Sequence, residues 1–183
     1  NYIPAMSKQH TYALMALYPA ITQVNGEMGI QADVTYSIKK GTLLGGKYGT
    51  TLKLNYSQIM SIDKQPLEGY TTIGEMGTDG YTSDFFKVGD ELYYQDFNVE
   101  ISKKLSKKSK LALTYAYIAF NPIMENEHGD IHHNNVVVAD YTYKMNSKNV
   151  LRGELQWLKS NIEYFDDDKR SGDWLMALVE WNF

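Results

Sequence analysis

The sequence predicts an all-β fold, a transmembrane antiparallel up-and-down β-barrel. Three observations carry that expectation. Apolar and polar side chains alternate strictly in segment after segment. No stretch approaches the ~20 apolar residues of a membrane helix, and the mean hydropathy is −0.42. The connections between alternating segments are by turns short and long, as in barrels whose strands cross a membrane. Hydropathy windows miss such strands, because the residues facing the lumen cancel those facing lipid.

The 183 residues are expected to form one unit, 1–183. Fifteen Tyr stand against six Phe, and Tyr suits a membrane interface because its ring is apolar and its hydroxyl is not. The absence of cysteine fits a periplasmic route. A start at Asn1 without Met is expected of a processed mature form or of a piece of something longer.

Eight strands are expected. Thr11–Tyr18, apolar on both faces, is the first and has the weakest alternation. Glu27–Ile38 is the clearest: Met28, Ile30, Ala32, Val34, Tyr36 and Ile38 share one face, and Gly29, Gln31, Asp33, Thr35 and Ser37 the other. Tyr48–Ile62 sets Leu52, Leu54, Tyr56 and Met60 against Lys53, Asn55 and Ser57. Leu92–Ser102 sets Tyr93, Phe97, Val99 and Ile101 against Tyr94, Asp96, Asn98, Glu100 and Ser102. Lys110–Phe120 aligns Leu111, Leu113, Tyr115, Tyr117 and Ala119. Asn135–Met145 aligns Val137, Ala139, Tyr141, Tyr143 and Met145 opposite Asp140, Thr142 and Lys144. Val150–Ser160 aligns Leu151, Gly153, Leu155 and Trp157 opposite Arg152, Glu154 and Gln156. Asp173–Phe183 ends the chain, with Leu175, Ala177, Val179, Trp181 and Phe183 on one face and Glu180 and Asn182 on the other. Gln58 and Gln95 interrupt the apolar face, which suits an amide at an interface, a paired Gln–Gln contact or a bulge.

Fixing the direction of the last strand assigns every connection to a side. Asn146–Asn149, Lys103–Ser109 and Lys39–Lys47 become periplasmic turns; Pro19–Gly26, Asp63–Glu91, Asn121–Asn134 and Asn161–Gly172 become external loops. Ten of the eighteen Lys and Arg lie at the turn end: Lys39, Lys40, Lys47, Lys103, Lys104, Lys107, Lys108, Lys110, Lys144 and Lys148. Acids gather in the loops, among them Asp63, Asp79, Asp84, Glu125, Glu127, Asp130 and Asp166 to Asp168. The net charge of −4 conceals this separation.

The terminal Phe183, with Leu175, Ala177, Val179 and Trp181 before it, resembles the C-terminal signal of Gram-negative outer-membrane β-barrels. That resemblance implies insertion by the barrel assembly machinery, residence in the bacterial outer membrane, and contact with lipid and lipopolysaccharide. The segments Lys8–Tyr12, Gly26–Asp33 and Lys40–Thr50 resemble the C-terminal part of an uncharacterised Bacteroidota outer-membrane barrel family. This second resemblance implies a larger parent barrel, closed by more strands than these.

Residues able to carry chemistry are few. The loop Glu125–His133 gathers carboxylates and three histidines. His128, Asp130, His132 and His133 are therefore candidate ligands for zinc or a similar metal, although their spacing matches no established ligand motif. The default reading is a solvated polar loop and no cofactor. Asp166, Asp167 and Asp168 offer oxygen ligands to calcium, but without the glycine turn and distal Glu of a dedicated loop.

The charges expected to face the lumen are Asp33, Lys53, Asp96, Glu100, Asp140, Lys144, Arg152, Glu154 and Glu180. In a narrow barrel they pair as a buried network, with Arg152–Glu154 a structural ion pair; in a wider one, six acids against three bases favour cations.

The leading function is a pore, channel or envelope scaffold. An outer-membrane hydrolase is the alternative, pairing His10, His132 or His133 with an Asp at the loop end, but no barrel-enzyme motif is present. A third is an accessory subunit that meets envelope partners through Asp63–Glu91, a loop whose default reading is a disordered surface segment. A soluble ligand-binding barrel would need its polar face outside, leaving the tyrosines and tryptophans of the other face inside. The acidic total and the lack of a basic aromatic surface exclude nucleic acid as a partner.

Overall fold

A computed structural model describes residues 6–22, 26–69, 80–121, 131–161 and 173–183. Its strands are β1 (Glu27–Ile38), β2 (Thr50–Ile62), β3 (Gln65–Pro66), β4 (Tyr81–Thr82), β5 (Val88–Lys104), β6 (Ser109–Phe120), β7 (His132–Lys144), β8 (Val150–Ser160) and β9 (Trp174–Asn182). Seven of them form one antiparallel sheet in the order β1-β2-β5-β6-β7-β8-β9, each pairing with its sequence neighbour; β3 and β4 form a separate ribbon. Among the described residues no helix is long and apolar enough to cross a membrane.

The two-residue alternation becomes a division between faces. On the inner face lie Asn55, Ser57, Asp96, Asn98, Asn134, Glu154 and Gln156, all buried. On the outer face Val34, Ile101, Leu113, Val137, Leu155, Trp157, Leu175 and Trp181 are exposed. This inverts the usual arrangement of a water-soluble sheet, in which the apolar side chains are the covered ones. Every charge expected to face the lumen falls on the inner face: the register sets Asp33 opposite Asn55, Lys53 opposite Glu100, Asp140 opposite Glu154 and Arg152 opposite Glu180.

Thr11–Tyr18 is not a strand, which corrects the expected count of eight. It coils across the inner face, with Ala16 N–H donating to the carbonyls of Tyr12 and Ala13 at 3.0 and 3.2 Å. Tyr12, Leu14 and Met15 are buried against Ile59, Tyr94, Ile118, Val136, Val138 and Leu158, which lie on five different strands of the sheet. A segment without a polar lane gains more by covering the apolar inner residues near the loop end than by presenting one face to solvent. Pro19 follows it and removes a ladder donor.

Among the described residues the sheet is therefore open. β1 and β9 are its edges, and Thr11–Tyr18, expected as the first strand, supplies no seam for Asp173–Phe183. As the first and last of seven antiparallel strands they run in the same direction, so an antiparallel seam cannot join them directly.

Short connections hold the turn end. Gly41 N–H donates to Gly46 O at 2.7 Å, and Gly46 N–H donates to Thr42 O at 2.8 Å. A Cβ on Gly45 would stand 1.9 Å from the Lys39 carbonyl oxygen, so only glycine fits there. The Ser106 hydroxyl accepts from Lys108 N–H and Ser109 N–H at 3.1 and 3.0 Å, and the Asn146 carboxamide accepts from Lys148 N–H and Asn149 N–H at 2.9 Å each.

At the other end, the expectation of an unstructured Asp63–Glu91 loop is corrected near both of its ends. Gln65–Pro66 pairs with Tyr81–Thr82. Lys87 Nζ lies 2.5 Å from Asp63 Oδ2, and this hydrogen-bonded ammonium holds the Asp63 carboxyl below its usual range. Gln58 and Gln95 stand directly opposite each other, both joined to the Tyr56 hydroxyl at 2.8 and 3.0 Å, and a bulge follows at Ile59–Ile62.

Candidate functional site

The inner face is the candidate site, built as two polar networks bridged by the N-terminal segment. The first begins on β1. Asp33 Oδ1 accepts from Asn55 Nδ2 at 2.9 Å, and Asn55 Oδ1 accepts from Asn98 Nδ2 at 3.1 Å. Asn98 also donates to Asp96 Oδ1 at 3.0 Å. The N-terminal segment closes the chain of bonds. Lys8 Nζ donates to Asn98 Oδ1 at 3.0 Å, and His10 Nε2 lies 2.5 Å from Asp96 Oδ2. The Asp96 side chain has no exposure, and a carboxylate so placed needs partners of this kind.

The second network centres on Arg152. Its Nε and Nη2 donate to Asp140 Oδ2 at 3.0 and 2.7 Å, and Nη2 also reaches Glu154 Oε2 at 2.7 Å. Glu180 Oε2 lies 3.5 Å from Nη1. The Tyr12 hydroxyl donates to Asp140 at 3.3 Å, Gln156 donates to Glu154, and Leu14 N–H donates to Gln156 Oε1 at 2.8 Å. The expected Arg152–Glu154 pair is thus present but enlarged to three carboxylates around one guanidinium. Beside the first network, also on β2 and β5, Lys53 pairs with Glu100 at 3.0 Å. Lys144 joins neither network and lies with the turn-end lysines.

The remaining candidates separate. His128 and Asp130 lie outside the described residues, as do Asp166 to Asp168. His132 and His133 are consecutive on β7, so their rings point to opposite faces and cannot converge on one ion. His133 Nδ1 meets the Tyr117 hydroxyl at 2.6 Å on the outer face, while His132 packs edge-on against Phe120. Among the described residues no group of three metal-ligating side chains converges.

His10 does meet an Asp, but inside the sheet, where the nearest serine in register, Ser57, engages Asn55. Among the described residues His10 hydrogen-bonds Asp96 and no serine. Leu175, Ala177, Val179 and Trp181 share the outer face of β9 and are exposed, with Trp181 Nε1 donating to Asn149 Oδ1 at 3.1 Å and Phe183 beyond the strand.

The sequence reading missed Lys8, His10, Tyr12 and Leu14 as occupants of the interior. The signal available was the polar run Lys8–His10 placed directly before a segment apolar on both faces.

A model described as a family of unknown function, DUF6029, matches residues 1–183. The chain belongs to DUF6029. No curated protein and no solved structure matches it. The two networks and the segment bridging them are therefore what this DUF6029 chain offers for a functional reading.

Proposed function

We propose that this DUF6029 chain is an integral outer-membrane β-barrel unit whose interior is occupied by its own N-terminal segment, so that it works as an envelope scaffold or a shut channel. The observation that carries the reading is the inversion of faces. On central strands Leu155 and Leu113 are 51% and 47% exposed, while Asp96 and Gln156 have no exposure. In water so broad an exposed apolar surface is costly; in hydrocarbon it is the favoured surface. Strands of 9 to 17 residues reach the ~9–11 needed to cross.

Within a membrane both open edges would have to be paired. β1 and β9 run in the same direction, so antiparallel closure takes an odd number of further strands and brings the total to an even number. A second copy inserted the same way up would present parallel edges, which makes it a poor partner.

Planar-bilayer recording tests the occupied interior. The assembled protein should give a tight seal, and replacing Tyr12, Leu14 and Met15 together with Ser should produce steps of conductance. An open pore in the unaltered protein would contradict the reading, as would a seal that survives the triple substitution in fully inserted protein.

A further inference from the structure

The turn end of the sheet is rich in lysine and poor in anything to balance it. Residues 36–51, 101–111 and 141–151 contain no Asp or Glu. Lys104 and Lys110 stand directly opposite each other on the inner face, a like-charge cross-strand pair that destabilises a sheet unless something offsets it. Lys108 is bonded to the next strand, accepting at its carbonyl from Lys144 N–H at 2.8 Å. Together Lys104, Lys107, Lys108, Lys110 and Lys144 surround a hollow of about 180 Å³ with Thr142 in its wall. A second hollow, of about 430 Å³, shares Lys104 and Lys110 and adds Lys40.

Among the described residues no carboxylate forms an ion pair with any of these lysines. Among the described residues the one polar contact made by their ammonium groups is from Lys108 Nζ to the Met145 carbonyl at 3.3 Å. The contrast with Arg152, held by three carboxylates on the same face, is direct.

We propose that this lysine hollow binds a phosphate-type oxyanion, carried by a free ion or by a lipid headgroup. Five compact point charges suit a small, multiply charged tetrahedral anion, which can accept from several ammonium groups at once. Unlike the planar guanidinium fork, which matches carboxylate or phosphate bidentately, ammonium groups act as point charges that can gather around one such ion. The Ser106 and Asn146 turn bonds fix the backbone beneath the cluster. The inference goes beyond the barrel reading and does not depend on it.

Calorimetric titration of the purified full chain in a zwitterionic detergent, with pyrophosphate as the probe, tests it. Saturable binding with a Kd below about 1 mM at about 0.15 M salt is expected. The paired variant K104Q/K110Q should weaken binding by about tenfold or more, and Lys148→Gln, outside the hollow, should leave it unchanged. Repeating the titration in nanodiscs with and without phosphatidylglycerol separates the sources. A loss of pyrophosphate affinity that needs the anionic lipid and disappears in K104Q/K110Q assigns the site to headgroups; equal affinity in both assigns it to a free oxyanion. The absence of saturable binding in every medium would overturn the proposal. So would unchanged affinity in a K104Q/K110Q protein whose circular dichroism matches the parent.

Discussion

Arg152 shows how much of the interior depends on single side chains. Its guanidinium answers Asp140, Glu154 and Glu180, while Tyr12 reaches the same Asp140 oxygen. Two of these carboxylates are largely withdrawn from water, so removing the cation leaves charges that the inner face cannot solvate. Arg152→Met should cost about 3 kcal/mol, a fully buried pair losing about 3–5 and this one being partly exposed. Urea unfolding in a lipid or detergent medium would measure it, and a loss below about 1 kcal/mol would mean that the cluster is solvated. Asp140, Arg152, Glu154 and Glu180 were legible as a group, because alternation alone places them on one face. The partners Lys8, His10 and Tyr12 were not, because their contacts span about half the chain or more and no local pattern encodes such distances.

At the scale of elements, strands follow the alternation closely. Glu27–Ile38 and Val150–Ser160 are strands at the predicted bounds, and β5 extends past Leu92–Ser102 to Val88, where its ladder with β2 continues beyond a bulge, and to Lys104, which pairs with Lys110 of β6. The N-terminal segment departs from expectation for a physical reason. Thr11–Tyr18 has no polar face to point at a lumen, and the inner face near the loop end carries Ile59, Ile118, Val136 and Leu158, an apolar patch that needs cover. The segment and the patch complete each other. Met15 is 2% exposed, so Met15→Ala should cost about 2–5 kcal/mol in the same unfolding measurement. A change within about 0.5 kcal/mol would show that the segment is not seated.

The molecule as a whole pairs an exposed apolar face with a covered face that is polar toward the middle of the strands and apolar near the loop end, and the three tryptophans sample both faces. Trp157 and Trp181 lie on the outer face, whereas Trp174, itself 55% exposed on the edge strand, stands opposite Leu158 on the inner face. The all-β class and the division of faces could be read from the sequence, since each rests on a local period of two, and the strand order from the short connections between consecutive segments. Closure could not, because it depends on the parity of strands and on where a segment lies in space. Quenching of tryptophan fluorescence by lipids brominated on their acyl chains tests the central claim most directly, using single-tryptophan variants of the inserted protein. Strong quenching of Trp157 and Trp181 with little of Trp174 is the predicted result. Equal quenching of all three, or stronger quenching of Trp174, would contradict an outward-facing apolar band in a membrane.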